Sequence, residues 1–228
     1  MKNRPDEKLI FELTTALSNR KKEITDFYMY IWGCQSSGIA ETLNKSFILL
    51  LYAHWEGFIK EYTIKYFSFV ISQKLVLSKL TENFLWVYLK SLLEKYKVNN
   101  NISQEKRMLD MISKNSKFKI KIDENEYFEK YIVGTESNLK FKNYKNICTI
   151  LNYNLIDETN VFETNLEKLV HNRNSIAHTG LKAKENTYSN ILDIEIMKNL
   201  IIKEMENFHN FMEKNIVNKE YLVSMHNA

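Results

Sequence analysis

Glycine and proline are rare in this sequence, which has five glycines and a single proline, Pro5, among 228 residues. Folds rich in tight turns and hairpins need many more of both, because these residues supply the backbone angles that such turns require. Long helices do not need them. The scarcity therefore predicts an all-α fold, and we expect an up-and-down bundle of long helices.

Apolar residues recur at intervals of three and four along most of the chain, which is typical of helices with one buried face. The pattern predicts helices over about 6–32 and 39–73, separated by the sequence GCQSSG, and a third over about 78–98. A short helix follows at about 104–113, and longer ones at about 137–152, from about Thr164 and over about 191–216. The last helix carries an apolar seam formed by Ile194, Met197, Ile201, Met205, Phe208 and Met212.

The helical pattern weakens between about 99 and 134. After the short helix, the sequence KFKIKI alternates apolar and basic residues, which indicates a short strand or extended segment. We therefore expect a short irregular or partly extended insertion around 99–134. No internal repeat or linker divides the chain, so the sequence predicts a single domain, 1–228, with its core over about 39–216.

The charge and the cysteines set only loose limits on function. The net charge of +4 is compatible with a polyanionic partner without requiring one. Cys34 and Cys148 lack the spacing of a metal or redox motif, which predicts reduced thiols. The longest apolar run, FILLLYA, is too short to span a bilayer, and the N-terminus does not read as a signal peptide. We expect no membrane association and a cytoplasmic location.

The stretch HNRNSIAHTG, residues 171–180, ends the helix that begins near Thr164. Thr164 and Glu167 form a T-x-x-E pattern that predicts a capping box at the start, and Gly180 is typical of a helix end. At about 100° per residue, one side of this helix is an apolar face formed by Leu166, Leu169, Val170, Ile176 and Ala177. Arg173 falls in the middle of that face. Beside the face runs a polar stripe formed by Glu167, His171, Asn174 and His178.

An arginine on an apolar face is costly unless an anion meets it. One interpretation is a buried salt bridge, for which Glu56 in the sequence HWEGFIK is a natural partner. The other is a phosphate bound from outside. The two histidines of the stripe favour the second, because histidine titrates near neutrality and serves as a general acid or base.

The residues Arg173-Asn174-Ser175-Ile176-Ala177-His178 resemble the R-x(4–6)-H signature of the HEPN superfamily, including the polar residue after the arginine. The sequence YAHWEGFIKEYTIKYFSFV is also similar to the long early helix of the small, stand-alone bacterial branch of that superfamily. The resemblance covers about 39–216.

The resemblance implies a helical protein that dimerises through its motif helices, and many members are metal-independent endoribonucleases of toxin–antitoxin, phage-defence and RNA-processing systems. It implies that His178 is the general acid or base, that Arg173 stabilises the phosphate and that Asn174 orients either group. An RNA substrate and an antitoxin or defence-system partner are expected, and no metal or other cofactor. Two alternatives remain: a non-catalytic HEPN-like interaction or nucleotide-binding module, and a structural bundle in which the motif is coincidental.

Further residues have supporting roles in this hypothesis. Glu56 and His171 are candidates for assisting Arg173 and His178. Two basic clusters interleaved with aromatic residues are candidates for contacting RNA: Lys117 and Lys119 near Phe118, and Lys140, Lys142 and Lys145 near Phe141 and Tyr144. Alternatively, these lysines only solvate the surface while the aromatic rings turn inward. We expect His54 to be a packed core residue, and His209 and His226 to be solvated.

The motif raises a geometric question. Positions five apart differ by about 140° around a helix, so Arg173 and His178 do not lie side by side. Either the helix loosens before Gly180, or the length of arginine brings the two together, or a two-fold partner supplies the second residue. The dimer is the interpretation we favour, because each motif helix then faces its copy.

Overall fold

The computed structural model describes residues 4–99, 102–113, 119, 138–155, 160–180, 188 and 190–223. This part of the chain is mostly helical and contains no extended strand, which confirms the predicted all-α class. The helices are α1 (Pro5–Gly33), α2 (Ala40–Ser72), α3 (Glu82–Asn99), α4 (Ile102–Ser113), α5 (Phe141–Leu151), α6 (Val161–Thr179) and α7 (Ile191–Val217), with a 3-10 turn at Leu77–Lys79 between α2 and α3.

Helix α2 is central, because it packs against α1, α6 and α7. Its buried residues are therefore spread around the helix, whereas the apolar spacing predicted one buried face. Phe47, Trp55 and Phe58 are fully buried. In contrast, Leu43 and Leu50, which the spacing placed on the buried face, are only partly buried.

Helix α7 buries the seam that the sequence predicted. All six of its residues are at most 2% exposed, and α7 packs against α1, α2 and α6. The side chain of Asn190 caps the start of the helix by accepting hydrogen bonds from the backbone N–H groups of Leu192, at 2.9 Å, and Asp193, at 3.0 Å. The apolar spacing thus accounts for the buried face of α7, and the Asn190 cap accounts for its start.

Aromatic rings join α6 to the rest of the bundle. The ring of Trp55 on α2 contacts Tyr144 on α5 and Phe162 on α6 edge to face, with centroids 4.9 Å and 5.6 Å away. Tyr144 also contacts Phe208 on α7, at 6.1 Å. Aromatic pairs in such tilted arrangements stabilise a core beyond the area that they bury. The start of α6 is thereby held against α2 and α5, and Tyr144 links these rings to α7.

A buried carboxylate, which the sequence reasoning did not single out, also joins α5 to α7. Glu204 on α7 accepts hydrogen bonds from the hydroxyls of Tyr144, at 2.5 Å, and Tyr153, at 3.0 Å. Burial raises the pKa of the Tyr144 phenol well above its usual value, so the hydroxyl keeps its proton and donates a hydrogen bond to the carboxylate.

Three helices begin elsewhere than predicted. Helix α6 begins at Val161 rather than near Thr164, and its N-cap Asn160 makes no side-chain cap hydrogen bond, so the predicted capping box of Thr164 and Glu167 is wrong. Helix α5 begins at Phe141 rather than at about 137. Helix α3 begins at Glu82 rather than at about 78, and the remaining helix ends agree with the sequence pattern to within about three residues.

Part of the predicted insertion is described. Its short helix is α4, and Lys119 forms an isolated antiparallel bridge with Val76. The rest of the predicted extended segment, including Lys117, and His226 lie outside the described residues. Among the helices that are described, none combines the length and apolar character needed to cross a bilayer. The described ranges also contain no cluster of three or more His, Cys, Asp or Glu suited to a metal ion.

Candidate active site on the motif helix

Helix α6 remains regular through the motif. Leu166, Leu169, Val170 and Ile176 are buried on the side that faces the bundle, as predicted, but Ala177 is exposed. The helix continues to Thr179, and Gly180 ends it in the left-handed conformation, with φ of 69° and its N–H donating to the Ile176 carbonyl at 2.9 Å. A loosened helix therefore does not bring Arg173 and His178 together.

The side chain of Arg173 is half-buried against α2 and the segment before α5. Its guanidinium carbon lies 4.9 Å from the centroid of the Tyr52 ring. Its Nη1 donates hydrogen bonds to Oδ1 of Asn138 and Oδ1 of Asn174, both at 2.9 Å. No described carboxylate forms an ion pair with Arg173, so the charge is held by neutral groups.

Glu56, the candidate partner of Arg173 in the salt-bridge interpretation, lies nearby but forms an ion pair with Lys60 instead. Its Oε1 is 3.3 Å from Nζ of Lys60, one helical turn along α2. Its carboxylate is also close enough to Tyr52 to contribute to the raised pKa of that phenol. The structure thus brings Glu56 to the edge of the site, with Tyr52 as its link to the site.

Tyr52 is the residue at the centre of this arrangement, and the sequence reasoning missed it. It is 1% exposed, and its hydroxyl accepts a hydrogen bond from the backbone N–H of Leu139 at 2.7 Å. Burial raises its pKa above the ordinary value; Glu56 adds to the rise, while the Leu139 N–H and Arg173 oppose it. The phenol is therefore neutral near pH 7. Its position four residues before Glu56 on α2 was the available signal, because residues at that spacing share a helix face.

The two histidines of the motif lie on the exposed side of α6, whereas Arg173 lies against Tyr52. His171 and His178 are exposed, seven residues apart and thus on nearly the same side of α6. Asn174 is half-buried between the two sides, and its Oδ1 bonds Arg173. Among the described residues, no hydrogen bond joins either histidine to Arg173. Within one chain, Asn174 is the member of the predicted catalytic set that contacts Arg173.

Asn172, next to Arg173 in the chain, was also missed. It is fully buried, and its side-chain amide donates to the Lys168 carbonyl one turn earlier, at 2.8 Å. The same motif segment therefore presents one asparagine to the core and another, Asn174, to the arginine.

The predicted RNA-contacting lysines lie beside the site. Lys140, Lys142 and Lys145 are exposed on or next to the first turns of α5, and Lys140 directly follows the residue that bonds Tyr52. The neighbouring rings of Phe141 and Tyr144 are buried in the core, as the alternative interpretation of this cluster expected. Lys119 is exposed as well.

The remaining described histidines, His54 and His209, pack against neighbouring helices. His54 packs against α1, where its Nε2 is 3.4 Å from Oε2 of Glu23, as expected of a packed residue. The prediction that His209 is solvated is wrong: it is 7% exposed, and its Nδ1 is 3.1 Å from the Tyr62 hydroxyl. Burial lowers the pKa of both histidines.

The helical bundle and the motif helix are the features that the HEPN resemblance implied. A family model described as RiboL-PSP-HEPN matches residues 15–218, a range that contains α2, the segment before α5 and the whole of α6. This range is most of the chain, so the protein belongs to the RiboL-PSP-HEPN family of HEPN domains. No curated protein matches the sequence significantly, and neither does any solved structure.

Proposed function

We propose that this protein is a metal-independent endoribonuclease, a toxin or phage-defence effector, in which Arg173 binds the scissile phosphate and His178 transfers protons. The observation that carries the proposal is the half-buried guanidinium of Arg173, which no described carboxylate neutralises. A structural arginine in such a place is ordinarily paired with an acid, since a desolvated charge without a partner is costly. An unneutralised one beside exposed lysines suits an anion from outside.

The chemistry that these residues can perform is the attack of a ribose 2′-hydroxyl on the adjacent phosphorus. The bond from the 2′-oxygen to phosphorus forms while the bond to the 5′-oxygen breaks. One proton leaves the 2′-hydroxyl and another joins the 5′-oxygen, which yields a 2′,3′-cyclic phosphate and a 5′-hydroxyl end. An exposed imidazole such as His178 can carry out either transfer. The guanidinium stabilises the negative charge that builds up on the phosphate oxygens.

A homodimer accounts for the distance between the two residues. In one chain, Arg173 faces Tyr52 while His178 faces outward, and the helix between them is regular. A two-fold partner whose α6 lies against this one would place its own His178 over the Arg173 of the first chain. Exposed Ala177 and Thr179 keep the contact surface at the end of α6 small, which allows two such helices to approach closely.

The lysines supply the remaining contacts in this proposal. Lys140 and Lys142 follow the segment that bonds Arg173, so they lie where an RNA backbone leaving the site would pass. Contacts of this kind add affinity with little base preference and weaken with salt. His171 lies on the exposed side of α6 with His178, where it can assist proton transfer or contact a neighbouring phosphate.

The test is incubation of the purified protein with mixed RNA in EDTA. The wild type is compared with Arg173→Ala and His178→Ala, and with Arg4→Ala as a matched control, since Arg4 is an exposed arginine at the far end of α1. We expect cleavage by the wild type and the control and its loss in both site variants. No cleavage by the wild type, or equal cleavage by all four proteins, would contradict the proposal, once mass spectrometry has shown that no inhibitor is bound.

A second candidate function is a non-catalytic HEPN module that binds nucleotides or a protein partner. The separation of His178 from Arg173 within one chain favours it, because a module freed from chemistry does not need the two together. Growth upon expression separates the two functions. Toxicity that His178→Ala abolishes while the fold is retained supports the ribonuclease, whereas toxicity unchanged by that substitution supports the module.

A further inference from the structure

In the described part of the chain, the guanidinium of Arg173 forms hydrogen bonds through Nη1 alone. Nη1 carries two hydrogens, and Asn138 and Asn174 accept one each. Among the described residues, Nε and Nη2 make no hydrogen bond. In a planar guanidinium, Nε–H and one N–H of Nη2 point in parallel from the same edge, and this fork matches two oxygens of a phosphate. The two bonds of Nη1 therefore fix the direction of the edge that carries Nε and Nη2, and no described residue bonds that edge.

We propose that Tyr52 and Asn138 are positioning residues that hold Arg173 in this orientation, and that Asn138 is an amide because a carboxylate there would compete with the substrate. This inference deepens the proposed function and rests on it. We call Tyr52 and Asn138 together the seat of Arg173. Tyr52 lies on α2 and Asn138 in the segment before α5, whereas the motif itself lies on α6.

The Tyr52 ring contributes attraction without neutralisation. A cation 4.9 Å from an aromatic centroid is stabilised by the negative face of the ring, yet it keeps its full charge for an anion at the edge that carries Nε and Nη2. Burial raises the pKa of the phenol, so no phenolate forms that would pair with the arginine. The ring thus fixes the plane of the guanidinium and leaves its charge to the phosphate.

The Tyr52 hydroxyl places the other half of the seat. It accepts the N–H of Leu139, the residue next to Asn138, so a single side chain sets both the plane of the guanidinium and the segment that holds Nη1. That segment is further fixed because the backbone carbonyl of Asn138 accepts bonds from the Lys140 N–H, at 3.0 Å, and the Asn143 side chain, at 3.1 Å. Asn138 is therefore not free to follow Arg173 if the arginine moves.

Replacing the amide at position 138 by a carboxylate distinguishes a positioning role of Asn138 from a purely structural role. Aspartate has nearly the same shape and would accept the same hydrogen bond, so Asn138→Asp would add a strong ion pair to Arg173. For a residue with only a structural role, that change is harmless or stabilising. For a seat that must leave the charge unneutralised, it is damaging, because the carboxylate repels phosphate and cancels the arginine charge.

The experiment compares Asn138→Ala, Asn138→Asp, Tyr52→Phe and Tyr52→Leu with two controls. Asn146→Asp changes an exposed asparagine on α5, and Tyr62→Phe removes another buried hydroxyl on α2, which bonds the Leu13 carbonyl. One readout is kcat and KM on a short RNA. The other is the side-chain Nε–Hε NMR signal of Arg173, which is readily resolved because the chain has only four arginines, Arg4, Arg20, Arg107 and Arg173.

We expect Asn138→Ala and Tyr52→Leu each to lower kcat by roughly 10- to 100-fold with little change in KM, since misplacing a catalytic group by about 1 Å costs up to about 100-fold. Both should shift the Arg173 signal, Tyr52→Leu by removing the ring current. The kcat of Tyr52→Phe should lie between that of these two variants and that of the wild type. Asn138→Asp should be as stable as the wild type and as slow as Asn138→Ala. Both controls should keep the wild-type kcat and Arg173 signal.

Wild-type kcat in Asn138→Asp, or an unchanged Arg173 signal in both Asn138→Ala and Tyr52→Leu, would overturn the inference. If the wild type does not cleave RNA, the proposed function is contradicted, and this result leaves the inference about the seat to be tested by other means. The seat is then decided by the NMR readout alone, in which inorganic phosphate shifts the wild-type Arg173 signal but not that of Asn138→Asp. Equal phosphate responses in the two proteins would count against the seat.

Discussion

The carboxylate of Glu167 on α6 accepts a hydrogen bond from the backbone N–H of Phe141, at 2.9 Å, and so caps the start of α5 rather than of its own helix. The N-cap residue of α5, Lys140, makes no side-chain cap bond. Glu167 takes over that function from a different element, and its negative charge is also favourable at a helix N-terminus.

Glu167→Ala should lower the free energy of unfolding by about 1 kcal/mol, the usual cost of losing an N-cap. Urea denaturation followed by circular dichroism measures the change. Glu167→Gln keeps an oxygen that can accept the same bond and should cost less. Equal losses in the two variants would indicate that the charge alone matters, and no loss in either would contradict the capping role.

Glu167 also shows which features of the fold could be predicted from the sequence and which could not. The all-α class and the α7 seam were predictable, because the period of buried residues is a property of one helix. The T-x-x-E pattern of Thr164 and Glu167 was a valid local signal that the fold overrode, since a carboxylate can bond any orphan N–H within reach. Helix starts depend on such tertiary partners, and spacing carries no information about them.

Gly57 on α2 is covered by the guanidinium of Arg20 from α1. A methyl group added at this position would lie 3.2 Å from Nη1 of Arg20, which donates to the His54 carbonyl at 3.4 Å, while Nη2 bonds Glu61 at 3.0 Å. Alanine is favoured over glycine within a helix by about 1 kcal/mol. Gly57→Ala should therefore stabilise the protein by clearly less than that, because Arg20 must move.

A double-mutant cycle checks this expectation. In an Arg20→Ala background, Gly57→Ala should give the full gain of about 1 kcal/mol in the free energy of unfolding, so the two substitutions should couple. Additive effects would show that Arg20 yields without cost and that the close approach has no energetic consequence.

His209 makes stability depend on pH. Burial lowers its pKa in the folded state, with Glu213 opposing, and His54 shifts in the same direction. The unfolded chain therefore binds protons more tightly than the folded one, and the unfolding free energy is greatest above the unfolded pKa of about 6.5 and falls as the pH drops below it. His209→Gln should weaken this fall between pH 7 and pH 5 in urea titrations. A variant with the wild-type pH slope would show that His209 does not contribute.

The candidate site was only partly predictable for a related reason. Arg173 stood out because its own helix showed a charge on an apolar face. Its neutral partners did not: Asn138 is 35 residues away in the chain, and Tyr52 resembles any buried aromatic on α2. The sequence offered Glu56 as an acidic partner in one of the two interpretations of Arg173, because charge complementarity can be recognised from sequence alone. That no described acid pairs with Arg173 becomes visible only when its surroundings are known.

The dimer proposal makes a quantitative prediction for mixtures of inactive variants. If each site combines Arg173 of one chain with His178 of the other, a heterodimer of Arg173→Ala and His178→Ala contains one intact site and one doubly defective site. Random exchange in a 1:1 mixture makes about half of the dimers heterodimers, so about one quarter of the wild-type activity should return. The measurement is RNA cleavage by each variant alone and after the two are unfolded and refolded together.

Sites formed within one chain would give a different result, because every site in the mixture would then lack either Arg173 or His178, and the mixture would remain as inactive as its components. A refolded mixture of Arg173→Ala with the double variant Arg173→Ala/His178→Ala is the matched control, since no pairing of these chains supplies an arginine. Activity that returns only in the first mixture supports a shared site. Activity that stays absent there, with wild-type protein refolding normally, contradicts it.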